Sequence, residues 1–197
     1  MKNNLLVFAA LLLSTFAYSQ TETLFSGNAS YGGFGGPLIE FSSINGTLVN
    51  DVGGGGALII NNFFVGGYGL GSDNASVDIN GLEHDIDFSQ GGFWFGYTHK
   101  QHKLIHLYSS VKVGWGEAEL LVNEEKRFDE NLLAFSPDLG LEFNVTSWFK
   151  LGVTAGYRFV SGLDDLPVLD DNDFSGMTGG ITFRFGGFGD YNNNRND

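Results

Sequence analysis

The 197-residue sequence has no cysteine, three prolines, and only ten lysines and arginines against 23 aspartates and glutamates. Without cysteine there is no disulfide framework, no thiolate metal site and no lipid attachment at an N-terminal cysteine. The shortage of base leaves a net charge of −13 and disfavours a nucleic-acid partner, because phosphates need clustered Lys and Arg. No segment after Leu13 holds an uncharged apolar run long enough for a membrane-spanning helix, although this says nothing of strands. What the chain has instead is glycine, 30 residues, and aromatics, 15% of the total. Glycine and aromatics without proline point to packed, curved β-structure rather than a disordered tail.

The first twenty residues read as an export signal: Lys2 gives a positive start, Leu5 to Leu13 an apolar core, and Ala17-Tyr18-Ser19 a cleavage site before Gln20. The expected domains are therefore a signal peptide over 1–19, a β-domain over 20–186 and a short polar tail over 187–197. Eight strands are expected, over 29–43, 52–61, 63–71, 88–98, 103–116, 132–145, 148–160 and 174–186. Most approach the roughly 9–11 residues that cross a membrane at a tilt. The later ones alternate cleanly: Phe149, Leu151, Val153, Ala155, Tyr157 and Phe159 against Lys150, Gly152, Thr154, Gly156 and Arg158. Strands one to four are blurred by glycine, as in DVGGGG, so the facing of their residues is not legible.

The connections sort by parity. Those over 44–51, 72–87, 117–131 and 161–173 are long; those at 61–62, 99–102 and 146–147 are short. The long ones hold one, five, six and five acids, seventeen of the 23, while the short turn His99-Lys100-Gln101-His102 is basic. Long loops on one side and tight turns on the other are the pattern of a chain strung through an outer membrane.

In a soluble sandwich the apolar face packs inward; in a membrane barrel it meets lipid and the polar face points to the centre. Loop parity, strand length and aromatics at strand ends favour the second: an all-β, eight-stranded, antiparallel up-and-down transmembrane β-barrel. Trp148 and Phe149 would form one aromatic girdle, and Trp115, Tyr157 and Phe159 the other. Inside would lie Glu40, Lys112, Asp138, Glu142, Lys150, Arg158 and Arg184, three acids against four bases. A tight hairpin at Thr146-Ser147 would set Glu142 opposite Lys150. An eight-stranded interior is just wide enough for side chains to fill, so a plugged, salt-bridged lumen is expected.

Over residues 29–186 the chain resembles the small eight-stranded outer-membrane barrels, the group of the OmpA membrane domain, OmpX and OmpW. The resemblance lies in the signal segment, strand number, loop parity, aromatic ends and the final strand SGMTGGITFRFGG. It implies residence in a Gram-negative outer membrane, surrounding lipid, and assembly by machinery that reads a terminal aromatic. Phe185 matches that aromatic, although the chain continues through GGFGDYNNNRND.

Other features favour blander readings. His84, His99, His102 and His106 are the only histidines and show no ligand cluster, so no metal is expected. His106 and Ser110 share a face with Glu142, but a packed lumen denies a lipid substrate access, so catalysis and cofactors are not expected. Asp170, Asp171 and Asp173 lack EF-hand spacing and read as solvated charge. GGYGLG around Gly67 has no following helix or lysine and reads as a strand. The expected role is structural or surface-interactive, through acidic loops that meet an extracellular ligand. The alternatives are a small-solute conduit, a lipid A-modifying barrel enzyme and a soluble secreted β-sandwich.

Overall fold

A computed structural model describes residues 29–79, 82–122, 126–163 and 169–189. The expected signal segment over 1–19 and the expected tail beyond residue 189 lie outside the described residues. Eight strands, β1 (Tyr31–Ile44), β2 (Thr47–Ile60), β3 (Phe63–Ile79), β4 (Leu82–Thr98), β5 (Ile105–Val122), β6 (Lys126–Asn144), β7 (Phe149–Ser161) and β8 (Gly176–Gly187), each pair antiparallel with the next. β8 pairs with β1, so the sheet is a closed barrel and the sandwich reading is excluded. Closure removes every sheet edge, the condition for strands to lie in lipid with all backbone groups satisfied. One four-residue helix, α1 (Asp171–Phe174), precedes β8.

The odd connections differ from expectation. Residues 44–51 are no loop: β1 and β2 join through Asn45 and Gly46 at φ of 47° and 80°, as a tight Asn-Gly hairpin requires. The connections expected over 72–87 and 117–131 are largely strand, since β3–β4 pair as far as Ile79–Leu82 and β5–β6 as far as Val122–Lys126. Asp85, Asp87, Glu117 and Glu119 therefore stand on a raised barrel wall.

The reason these strands were hidden lies in their polarity. Below, β5 turns Leu107, Val111, Val113 and Trp115 outward and His106, Tyr108, Ser110 and Lys112 inward. Past Trp115 the facing continues in the same register but the chemistry reverses. Ala118 and Leu120 are buried, while Glu117 and Glu119 lie outward. β4 and β6 reverse at the same height: Ile86, Phe88 and Leu132 are inside, and Asp85, Asp87 and Asn131 outside. One barrel thus meets two solvents. Its lower zone has an apolar exterior suited to lipid, its upper zone a polar exterior suited to water. The barrel's two chain termini leave at the end opposite the polar-faced zone, and that end is the periplasmic one.

Candidate functional site

The interior is built in four levels. At the periplasmic end lies an aromatic cluster. Phe34, Phe64 and Trp94 meet edge to face at 5.2–5.5 Å, and Phe64 stacks on Tyr108 at 5.9 Å. Into this cluster β8 sends Arg184. Its guanidinium carbon lies 4.2–5.1 Å from the centroids of Phe34, Phe64, Trp94 and Tyr108, a cation held against four ring faces. The rings fit because strand neighbours are glycine: a Cβ at Gly96 would collide with the Phe64 ring.

Beside the rings, on the periplasmic side of Tyr108, Glu142 gathers three nitrogens. Arg184 Nη1 donates at 2.7 Å, Lys150 Nζ at 3.2 Å, and His106 Nε2 stands at 2.9 Å. Lys150 is not the cross-strand partner of Glu142, as expected from a two-residue hairpin. The turn spans Val145 to Trp148, Asn144 faces Lys150, and Glu142 is reached diagonally. Thr146 Oγ1 holds this wider turn by accepting from the amides of Trp148 (3.3 Å) and Phe149 (2.9 Å).

A second ion cluster sits higher. Lys112 bridges Glu40 and, at 3.3 Å, Asp138. Arg158 donates to Asp51 Oδ2 at 2.9 Å and Ser42 Oγ at 3.0 Å, and lies 3.9 Å from Glu40. The space left beside Glu40, Lys112 and Asp138 is about 10 Å³. That is at the lower limit for one water molecule.

The top level is apolar. Ile86, Phe88, Leu120, Leu132, Leu163 and Phe174 form one buried cluster. Phe174 comes from α1, and its carbonyl accepts from Arg158 Nε at 3.1 Å. The loop is set by its own carboxylates, which do more than carry solvated charge. Asp170 Oδ1 caps α1 through the Asn172 amide (2.7 Å), Asp173 Oδ2 accepts from the Asp170 amide (2.8 Å), and Asp171 Oδ1 from Leu163 (2.9 Å). These oxygens are directed at backbone amides.

The structure places all seven sequence-derived charges inside the barrel. It adds Asp51, which the sequence reading assigned to a loop. Asp51 turns inward from β2 and makes the set four acids and four bases. The uneven count of three against four was the available signal, since an unpaired buried charge is expensive. Of the girdle residues, Trp148 and Phe149 stand at the periplasmic end. Trp115 and Phe159 face outward where the polarity reverses, and Tyr157, also outward, packs on Phe159 at 4.6 Å. Phe185 faces outward and stacks on Phe149 at 4.8 Å.

A catalytic chain through His106 and Ser110 is not assembled. Ser110 donates to Asp138 at 3.3 Å, while His106 engages Glu142 and the Lys103 carbonyl. His84 shares the face of Ile86 and Phe88 near the outer end of β4, His99 and His102 are exposed between β4 and β5, and no group of three or more potential metal ligands occurs among the described residues. The GGYGLG stretch lies within β3, with Tyr68 buried in the lumen.

These features define an eight-stranded barrel with a lipid-facing belt. No known family model and no curated protein sequence matches the chain. Solved structures do. The attachment invasion locus protein Ail of Yersinia pestis, in complex with the heparin analogue sucrose octasulfate, is 16% identical over 81% of this chain and 98% of Ail, with a TM-score of 0.50. Neisserial surface protein A is 11% identical over 81% of this chain and 97% of its own, at 0.53. The outer membrane protein OprG from Pseudomonas aeruginosa is 15% identical over 80% and 95%, at 0.50. At such identities the likeness is one of fold. The chain has the architecture of the small outer-membrane barrels, and its own apolar belt is the surface by which such a barrel sits in that membrane.

Proposed function

We propose that the protein is a non-enzymatic outer-membrane barrel, closed to ions, that presents an acidic collar to cationic partners outside the cell. The observation that carries this reading is the reversal of polarity along the strands. It keeps the interior filled through both zones while directing Asp85, Asp87, Glu117 and Glu119 away from the core. Ail was crystallised with a heparin analogue, but a polyanion is the wrong partner for this collar. A basic protein surface or cationic peptide fits it. In this reading Phe185 serves as the aromatic signal for the outer-membrane assembly machinery.

Two measurements test the proposal. Purified protein in planar bilayers should give no steady conductance steps; large, stable steps would overturn the closed lumen. Proteoliposomes with the collar outward should bind oligolysine at low salt and release it above about 0.15 M, where exposed charges are screened within about 8 Å. Binding insensitive to salt would remove the electrostatic role.

A further inference from the structure

The outer wall is not evenly covered. On β5 the outward position between Tyr97 of β4 and Leu139 of β6 is Ser109, a small polar residue on a face that otherwise meets lipid. Its hydroxyl donates to the Tyr97 carbonyl at 3.4 Å, which folds it onto the backbone and satisfies it without water. The next outward residue, Val111, lies between Phe95 and Pro137. These two short side chains stand beside an aromatic ridge, and Phe63 and Val65 of β3 continue the wall beyond it. The result is a groove of about 470 Å³ with an almost wholly apolar lining. That volume is typical of ligand clefts, which run from about 300 to 1,000 Å³.

The same two strands run directly into the turn that joins β4 to β5, where His99, Lys100, His102 and Lys103 are exposed. The Lys103 amide donates to the Lys100 carbonyl at 2.9 Å, with Lys100 at a φ of 53°, so both lysines belong to one tight turn. In a chain of net charge −13 this is a local concentration of base. Tyr97 and Phe63, paired at 4.9 Å, lie between groove and turn, at the depth where aromatic rings meet the headgroups.

We propose that the groove and the turn together hold one anionic diacyl phospholipid of the periplasmic leaflet. An acyl chain lies along Phe95, Val111 and Ser109, and the phosphate is held by Lys100 and Lys103. A zwitterionic lipid could fill the groove equally well, but its own ammonium would lie against the two lysines. The charge of the turn therefore selects the headgroup, and the groove selects the acyl chain. The site rests on the membrane placement of the barrel and is independent of the collar.

The test is native mass spectrometry of the detergent-solubilised protein, equilibrated with phosphatidylglycerol or with phosphatidylcholine. The wild type should retain a single phosphatidylglycerol at least fivefold more than phosphatidylcholine. Lys100→Gln/Lys103→Gln should abolish that preference and leave weak retention of both lipids. Ser109→Trp, which fills the groove and keeps the charge, should lower retention of both. Equal retention of the two lipids by the wild type overturns the proposal, as does an undiminished preference in the lysine variant. Boiled and unboiled samples on SDS gels show separately whether each barrel is closed. Loss of the heat shift in the wild type would count against the barrel itself, not the lipid site.

Discussion

The Glu142→Ala barrel should be about 3–5 kcal/mol less stable than the wild type, with a clearly lower urea midpoint after refolding into detergent micelles. The carboxylate is the shared partner of Arg184, Lys150 and His106, and all of these side chains are almost wholly buried. Its removal leaves two cations in a site with no other carboxylate in the same cluster, and stranding a buried charge costs more than the pair contributes. Glu142→Gln preserves the volume and should recover little, because the deficit is one of charge. Adding Arg184→Met to Glu142→Ala should restore a large part of the loss, since it withdraws one uncompensated cation. A Glu142→Ala barrel within about 0.5 kcal/mol of the wild type would mean that water reaches this level, and the closed-lumen reading would fail.

Arg158→Ala should have a comparable stability effect and a second, distinct one. The guanidinium engages Asp51, Ser42 and the Phe174 carbonyl, and lies 4.5 Å from the Phe88 ring. Its loss leaves Asp51 without its counter-ion and unties α1 from the barrel wall. We expect a loss of about 3–5 kcal/mol. We also expect faster proteolysis between residues 161 and 175 of the inserted protein, and brief conductance events where the wild type is silent. Phe174→Ala separates the two effects: it should expose the loop to protease without stranding a carboxylate. If Arg158→Ala destabilises the barrel but protease sensitivity is unchanged, α1 is held by its apolar contacts alone. The two ion clusters share no ion partner, so Glu142→Ala and Arg158→Ala should combine nearly additively in stability.

The barrel was legible from the second half of the chain because there the side chains obey one alternation. From Leu133 to Val145 and Phe149 to Phe159 every outward position is apolar except Pro137, and the inward ones carry the charges. Where glycine fills both faces, as at residues 53–56, periodicity holds no information, and Asp51 beside that run could not be assigned inward. The upper strands failed for a different reason. Ile86, Phe88, Ala118 and Leu120 alternate with acids as regularly as any soluble strand. Their phase is opposite to that of the lipid zone, so a search for one outward stripe ends at Trp115. Asn45-Gly46 was a recognisable hairpin signal, overlooked because a long connection was expected at that position. The place of α1 was harder still. Asp170 and Asp173 have the spacing of a capping box, but nothing local says that Phe174 would enter a lumen formed by distant strands.

The reversal of polarity also fixes the depth at which the protein sits. On β5 the outward residues from Ile105 to Trp115 are the ones that meet hydrocarbon, and the acids begin immediately above. Eleven tilted residues match an apolar band about 25 Å tall. A thicker bilayer would draw Glu117 and Glu119 below the headgroups, and a thinner one would lift Leu107 and Val113 into water. Hydrophobic mismatch is therefore penalised in both directions. The chain acts as a gauge of membrane thickness, graduated by the positions on β4, β5 and β6 where the alternation changes sign.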